Sequence, residues 1–213
     1  MHFRGLYPLV DLESLERRGL APLAFAERVL TARPPLLQLR AKSAGARVTL
    51  ELLRALVPLC RAAGTALFAN DRPDLAVLAG AEGVHVGQDD VPLAEVRRFA
   101  PNLRVGVSTH DFVQLERALA ERPDYVAFGP VFATPSKQGH EPVVGLEGLE
   151  RAHALARSAG VPLVAIGGID LERARLAKGH AELVAVIGAV MPQAGALDEV
   201  EASARELTRV LTS

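Results

Sequence analysis

Two aspartates, Asp71 and Asp90, each close a short apolar run and have no histidine or cysteine beside them. Such a pair suits a hard, oxygen-liking ion. Mg²⁺ held by one or two carboxylates plus substrate phosphates fits that donor set best. Each aspartate alone has a plainer reading. Asp71 lies two residues before Pro73, and Asp90 two before Pro92, so either could cap a helix. A second group is Gln38-Leu39-Arg40-Ala41-Lys42. In a strand alternate residues share a face, so Gln38 and Arg40 point together and Lys42 lies at the rim. Two cations and an amide suit a phosphate or diphosphate. The plainer alternative is a salt-bridged surface edge.

Further polar groups follow later apolar runs. Ser108 and His110 lie in GVSTHD, where each serves equally well as a hydrogen-bonding group. Thr134, Ser136 and Lys137 end a long loop that begins at Gly129. Two hydroxyls and a lysine there read as anion contacts. The pair Gly167-Gly168 lets backbone N–H groups approach an anion, and a side chain at Gly168 would then crowd the ligand or forbid the needed φ. Ile187-Gly188 ends the last apolar run. Tight turns alone would also explain these glycines.

The elements that must position these groups alternate. Strands are expected near 6–10, 36–40, 65–69, 83–86, 103–107, 124–128, 162–166 and 183–187, each followed by an Ala/Leu/Arg stretch of helical period. Helices are expected near 20–32, 48–62, 73–79, 91–99, 111–120, 146–159, 170–178 and 196–211. Pro58 should kink or end the second of them. Eight such units, at about 27 residues each, fit a single (β/α)8 TIM barrel spanning 1–213, near the short end of the range for that fold. A doubly wound open sheet is the rival. In the barrel, the groups named above all fall on loops after strands, at the face where barrel enzymes keep their chemistry. They sort into two anion sites. One holds Arg40, Lys42, the aspartates and Lys137. The other combines the loops after strands seven and eight with Thr134 and Ser136.

Composition narrows the function classes. The chain has 213 residues, a net charge of −1 and 49% hydrophobic residues, which gives ample core and argues against nucleic acid or an anionic membrane as main partner. No apolar run is long enough to span a bilayer. The opening MHFRGLYPLVDLE lacks the apolar stretch of a signal peptide, so a cytoplasmic location is expected. The single cysteine, Cys60, excludes an intramolecular disulfide and reads as core. Of the 24 basic residues only Lys42, Lys137 and Lys178 are lysines. A homodimer is compatible with the sequence and not required by it.

The motifs QLRxK, ND, HVGQxD, GxSxH, GPVFxTxxK and AIGGI, in this order over residues 6–190, resemble thiamine phosphate synthase. The resemblance implies two phosphorylated small-molecule substrates, a hydroxymethylpyrimidine diphosphate and a hydroxyethylthiazole phosphate, joined with release of diphosphate and use of Mg²⁺. By motif position, Gln38, Arg40, Lys42, Asn70, Ser108 and Lys137 would bind the pyrimidine diphosphate. Arg40, Lys42, Ser108 and Lys137 would act in catalysis. Asp71 and Asp90 would hold Mg²⁺. Thr134, Ser136, Gly168, Ile187 and Gly188 would bind the thiazole phosphate. The chain departs from the family pattern at Ser136, often threonine, and at Gly188, often serine. The segment from Ser43 to Arg47 is also compact. Two rivals remain: a thiazole tautomerase of the same superfamily, with His110 as acid/base, and a non-catalytic barrel that binds a phosphorylated ligand.

Overall fold

The computed structural model describes residues 4–133, 142–192 and 196–213. Eight strands, β1 (Gly5–Asp11), β2 (Leu36–Arg40), β3 (Ala66–Asn70), β4 (Gly83–Val86), β5 (Arg104–Thr109), β6 (Tyr125–Phe128), β7 (Leu163–Ile166) and β8 (Leu183–Val186), close into one barrel in chain order. Every neighbouring pair is parallel, and β1 pairs with β8, which excludes the open sheet. Helices α1 (Leu12–Glu16), α2 (Pro22–Leu30), α3 (Ala46–Ala63), α4 (Pro73–Ala79), α5 (Leu93–Phe99), α6 (Phe112–Ala120), α7 (Gly145–Ala159), α8 (Leu171–Ala177) and α9 (Leu197–Thr212) lie between and after the strands.

Strand alternation divides the apolar residues into two cores. Outward-facing residues such as Leu37, Leu39, Leu67, Val84 and Val126 meet the buried faces of the helices. The last helix contributes Val200, Ala204, Leu207 and Leu211 to that layer. Inward-facing residues form a separate interior cluster of Tyr7, Leu9, Leu36, Ala66, Phe68, Tyr125, Ala127, Val164, Leu183 and Ala185. Aromatic rings fill this interior because two strand glycines leave room. A Cβ on Gly83 would lie 2.3 Å from the Phe68 ring, and one on Gly106 2.0 Å from the Tyr125 ring.

The N-terminal ends of the strands are pinned by carboxylates. Glu82, Asp124 and Glu182 immediately precede β4, β6 and β8. They accept the N–H groups of Leu67 (2.9 Å), Val105 (2.8 Å) and Leu163 (2.8 Å) on the preceding strands. These bonds fix the register from which every C-terminal residue is placed.

Two local expectations change. α3 runs through Pro58 to Ala63 without stopping. Pro58 lies on the exposed face, where water can take the carbonyl it leaves unbonded, while Leu53, Leu56, Val57 and Cys60 hold the opposite face in the core. The short α1 has no counterpart in the periodicity. Asp11 nucleates it by accepting the Ser14 N–H at 3.0 Å. Cys60 is fully buried, and burial pushes its thiol up to about 12, as expected of a core cysteine. Lys178 ties the chain's end, donating to Ser213 Oγ at 3.0 Å.

Candidate active site

The C-terminal ends of β2, β3 and β4 converge on one charged cluster. Lys42 Nζ lies 3.2 Å from Asp71 Oδ2, half exposed at the rim. The carboxyl groups of Asp71 and Asp90 face each other closely enough to share a hydrogen bond. Burial raises the Asp71 carboxyl above the ordinary aspartate range, the neighbouring Asp90 raises it further, and Lys42 opposes both. Asp90 is held in place by the Gly87 N–H, which donates to its Oδ2 at 2.7 Å. A cavity of about 250 Å³ opens here, lined by Lys42, Thr49, Asn70 and Asp71.

Neither aspartate caps a helix. The residue before α4 is Arg72, which makes no side-chain cap and instead pairs with Asp74. Asp71 adopts a left-handed backbone, φ 62, and donates its N–H to the His85 carbonyl at 2.8 Å. Aspartate is one of the few residues that tolerate this conformation, and such local strain collects at functional sites. The conformation is incompatible with the extended geometry of an N-cap.

Arg40 is less free than its position suggested. Its guanidinium pairs with the buried carboxylate of Asp11 at the end of β1 and lies 3.9 Å from Glu13. The planar fork has five N–H donors, so this pairing orients Arg40 and leaves donors over. Gln38 points inward as alternation requires. Its Nε2 donates to the Tyr7 hydroxyl at 2.8 Å. Ser108 Oγ lies 2.7 Å from His85 Nε2, and the Ser108 carbonyl accepts from Gln88 Nε2 at 2.6 Å.

His110 is tethered. Its Nδ1 lies 2.7 Å from the Gly129 carbonyl, and its backbone N–H donates to Gln114 Oε1 at 2.8 Å. A carbonyl only accepts, so this nitrogen carries the proton.

The loops after β6 and β7 pack on each other. Val131 N donates to the Ile166 carbonyl at 2.9 Å and Phe132 N to the Gly167 carbonyl at 3.0 Å. Gly168 has φ +63, and a Cβ there would meet the carbonyl oxygens of Ala133 (2.4 Å) and Phe132 (2.8 Å). A side chain at Gly168 would therefore strike the protein's own backbone. The positive φ agrees with the expectation that a side chain would be barred from the backbone conformation needed there. Gly188 opens a short 3₁₀ turn, Gly188–Val190, and a Cβ there would meet nothing within 4 Å. Ile166 and Ile187 are partly buried and pack on the interior aromatic cluster. Thr134, Ser136 and Lys137 lie outside the described residues.

Three residues of this region escaped the sequence reading: Tyr7, His85 and Tyr125. Each is buried inside an otherwise apolar strand, so periodicity files it as core. The available signal was parity, since Tyr7, His85 and Tyr125 fall on the inward positions of their strands, as Gln38 and Ser108 do. Gly83 and Gly106 added a second signal, because a glycine inside a strand marks a close approach.

The two carboxylates supply the oxygen donors that suit a divalent cation, while Lys42 beside them is a cation suited to an anionic group such as a phosphate. Like charges held this close, at a cost visible in the raised Asp71, are relieved by a cation between them. Among the described residues no group of three or more His, Cys, Asp or Glu gathers as a metal cage. A second cavity of about 230 Å³, lined by Arg4, His153, Arg157 and Glu182, lies at the opposite end of the barrel. There Glu182 serves the strand register. No described helix is long and apolar enough to cross a membrane.

A closed parallel barrel with its charged and glycine-bearing loops gathered over the C-terminal strand ends is the architecture of a (β/α)8-barrel enzyme. Residues 6–190 match the family model described as thiamine monophosphate synthase, and the chain belongs to that family. A thiamine-phosphate synthase of Anaeromyxobacter dehalogenans is 42% identical over 94% of this chain and 85% of its own length. One from Chloroflexus aurantiacus is 39% identical over 92% and 88%. The solved thiamine phosphate pyrophosphorylase of Pyrococcus furiosus is 31% identical and superposes with a TM-score of 0.84 over 97% of this chain and 95% of its own.

Proposed function

We infer that this chain is a thiamine phosphate synthase, a transferase that joins hydroxymethylpyrimidine diphosphate to hydroxyethylthiazole phosphate and releases diphosphate. Beyond family membership, the observation that carries the reading is the Lys42–Asp71–Asp90 cluster beside a cavity at the ends of β2 to β4. A tautomerase has no use for a carboxylate pair flanked by Lys42 and Arg40. The bond from His110 Nδ1 to the Gly129 carbonyl fixes the tautomer and orientation of that ring and does not by itself separate the two readings.

The chemistry asks little of the protein beyond charge and placement. Breaking the pyrimidine CH₂–O bond leaves a carbocation that the aminopyrimidine itself stabilises. The protein must then hold the departing diphosphate and keep the thiazole nitrogen within reach. Lys42 and Arg40 supply fixed positive charge at the leaving group, joined by Lys137. Gln38 and Asn70 orient the pyrimidine, and Ser108 donates to it or to its diphosphate. Asp71 and Asp90 would hold Mg²⁺, which when bound supplies charge neutralisation at the diphosphate. The loops carrying Thr134, Ser136, Gly168, Ile187 and Gly188 would hold the thiazole phosphate. The substrates point to a cytoplasmic enzyme.

The test is direct. Purified protein with both substrates and Mg²⁺ should form thiamine phosphate and diphosphate in equal amounts. Leaving out either substrate should abolish both products. No thiamine phosphate from the complete mixture would overturn the reading.

A further inference from the structure

Five side chains from five strands form one hydrogen-bonded line across the barrel interior. Gln38 Nε2 (β2) donates to the Tyr7 hydroxyl (β1) at 2.8 Å. The Tyr7 and Tyr125 (β6) hydroxyls lie 2.7 Å apart. The Tyr125 hydroxyl lies 2.8 Å from His85 Nδ1 (β4). His85 Nε2 lies 2.7 Å from Ser108 Oγ (β5). Tyr7, Gln38, His85 and Tyr125 are buried, whereas Ser108 is half-buried at the mouth.

We propose that protons along this line run in one direction, from Gln38 to Ser108, and that Tyr7, Tyr125 and His85 are positioning residues that turn the Ser108 hydroxyl proton out into the mouth. The direction follows from counting protons. The Gln38 amide nitrogen only donates, so the Tyr7 oxygen accepts there. Tyr7 has a single proton, and a buried hydroxyl must place it on an acceptor; the one along this line is the Tyr125 oxygen. Tyr125 then spends its own proton on His85 Nδ1. A neutral imidazole with an accepting Nδ1 carries its proton on Nε2, and that proton goes to Ser108 Oγ. The Ser108 proton is left for the mouth. Both phenols stay neutral, since burial pushes them far above neutral pH. Buried chains of this kind polarise each member in the same sense.

An outward O–H is a donor to an anionic oxygen, whereas a hydroxyl turned inward would present lone pairs to that anion. This functional half of the proposal rests on the synthase reading, while the proton direction does not. Under that reading Ser108 donates to the pyrimidine diphosphate as charge grows on it. Ser108 then owes its orientation to Tyr125, a fully buried residue two links away.

Two measurements test this. In ¹⁵N-histidine-labelled native protein, with the His85 signal assigned by its loss in His85→Asn, the ring should be neutral with Nε2 protonated and Nδ1 bare. A proton on Nδ1 would reverse the line and overturn the proposal. That result is independent of turnover. A protein that makes no thiamine phosphate but shows the Nε2–H form upholds the proton direction and sinks the synthase reading instead. The second measurement is kinetic. Ser108→Ala should lower kcat about 10²–10³-fold, as losing one transition-state donor does. Tyr125→Phe should lower kcat roughly tenfold, the scale of one hydrogen bond, with the thiazole phosphate KM little changed. Tyr7→Phe should cost less, because it leaves the Tyr125–His85–Ser108 links intact. In a Ser108→Ala background, Tyr125→Phe should have no further effect on kcat. Equal losses for the two phenylalanine variants, or additive losses in the double variant, would mean that the tyrosines act by packing alone and would overturn the positioning role.

Discussion

At the N-terminal end of the barrel, Glu82, Asp124 and Glu182 each accept a backbone N–H from the neighbouring strand. At the C-terminal end, Asp71 and Asp90 face each other; Asp90 accepts the Gly87 N–H of its own turn, and neither carboxylate accepts a backbone N–H from a neighbouring strand among the described residues. The same side-chain chemistry is thus under opposite forces. Burial alone would raise Glu182, but the Leu163 N–H and then His153 outweigh it and hold the carboxyl below the ordinary range. Burial and Asp90 raise Asp71. A carboxylate whose charge is favoured by the fold supports the fold. One whose charge is disfavoured by its surroundings does not support the fold, which is the pattern expected of a functional site.

The largest effect that would break this comparison is on activity at the C-terminal end. Asp71→Asn and Asp90→Asn should each lower turnover about 10²–10³-fold. EDTA should abolish activity and Mg²⁺ restore it. Because the fold disfavours the Asp71 charge, Asp71→Asn should not lower Tm. Full activity in EDTA after exhaustive dialysis would remove the metal role from both aspartates. Lys42→Ala should fall in the same range, with a smaller loss for His110→Ala, whose imidazole holds a loop carbonyl. A dead His110→Ala beside a near-normal Lys42→Ala would favour proton-transfer chemistry instead.

Gly168 tests whether the C-terminal end is purely functional. Its φ of +63 and the carbonyls of Phe132 and Ala133 leave no room for a branched side chain. Gly168→Val should therefore destabilise the protein by about 1–3 kcal/mol, the scale of a residue forced into a sparse backbone region. It should disturb both KM values, because the loops after β6 and β7 move together. A thiazole-specific KM change at unaltered Tm would show that the ligand, not the loop packing, sets the glycine.

Glu182→Gln should do the reverse of Asp71→Asn: little change in turnover, and a stability loss of about 1.5–3 kcal/mol, the value of a hydrogen bond to a charged group. Its pH dependence has a fixed sign. The folded carboxyl titrates below its unfolded value, so its contribution is complete above about pH 4.3, the ordinary glutamate value, and fades as pH falls through the lower folded value. Urea melts at pH 7 and pH 3 should show the gap between native and Glu182→Gln narrowing at the acid end. A gap that widened there would contradict the assignment.

The smallest expected effect is at Gly188. Its Cβ position is open, so Gly188→Ser should leave the unfolding free energy within about 0.5 kcal/mol of the native protein, as for other uncrowded surface changes. If the thiazole phosphate sits on this turn, the added hydroxyl should lower its KM about fivefold, the equivalent of one net hydrogen bond. The thiazole alcohol without its phosphate should react poorly with the native protein. An alcohol that reacted as well as the phosphate would leave the turn without a ligand.

Hydrophobic periodicity alone determined the eight strands, their parallel order and the placement of Lys42, Asp71 and Asp90 at one mouth. A two-residue and a 3.6-residue repeat are local properties, and a right-handed strand–helix–strand path leaves few ways to close the sheet. Tertiary structure decided the rest. Pro58 stays within a helix because of which face it occupies, and Gly168 is fixed by carbonyls that another loop brings against it. Arg40 is claimed by Asp11, a residue 29 positions away in the chain. Tyr7, His85 and Tyr125 look like core in one dimension. They join into a polar line only when β1, β4 and β6 are brought round the same axis, because a buried hydroxyl takes its meaning from the acceptor opposite it and not from its neighbours in sequence.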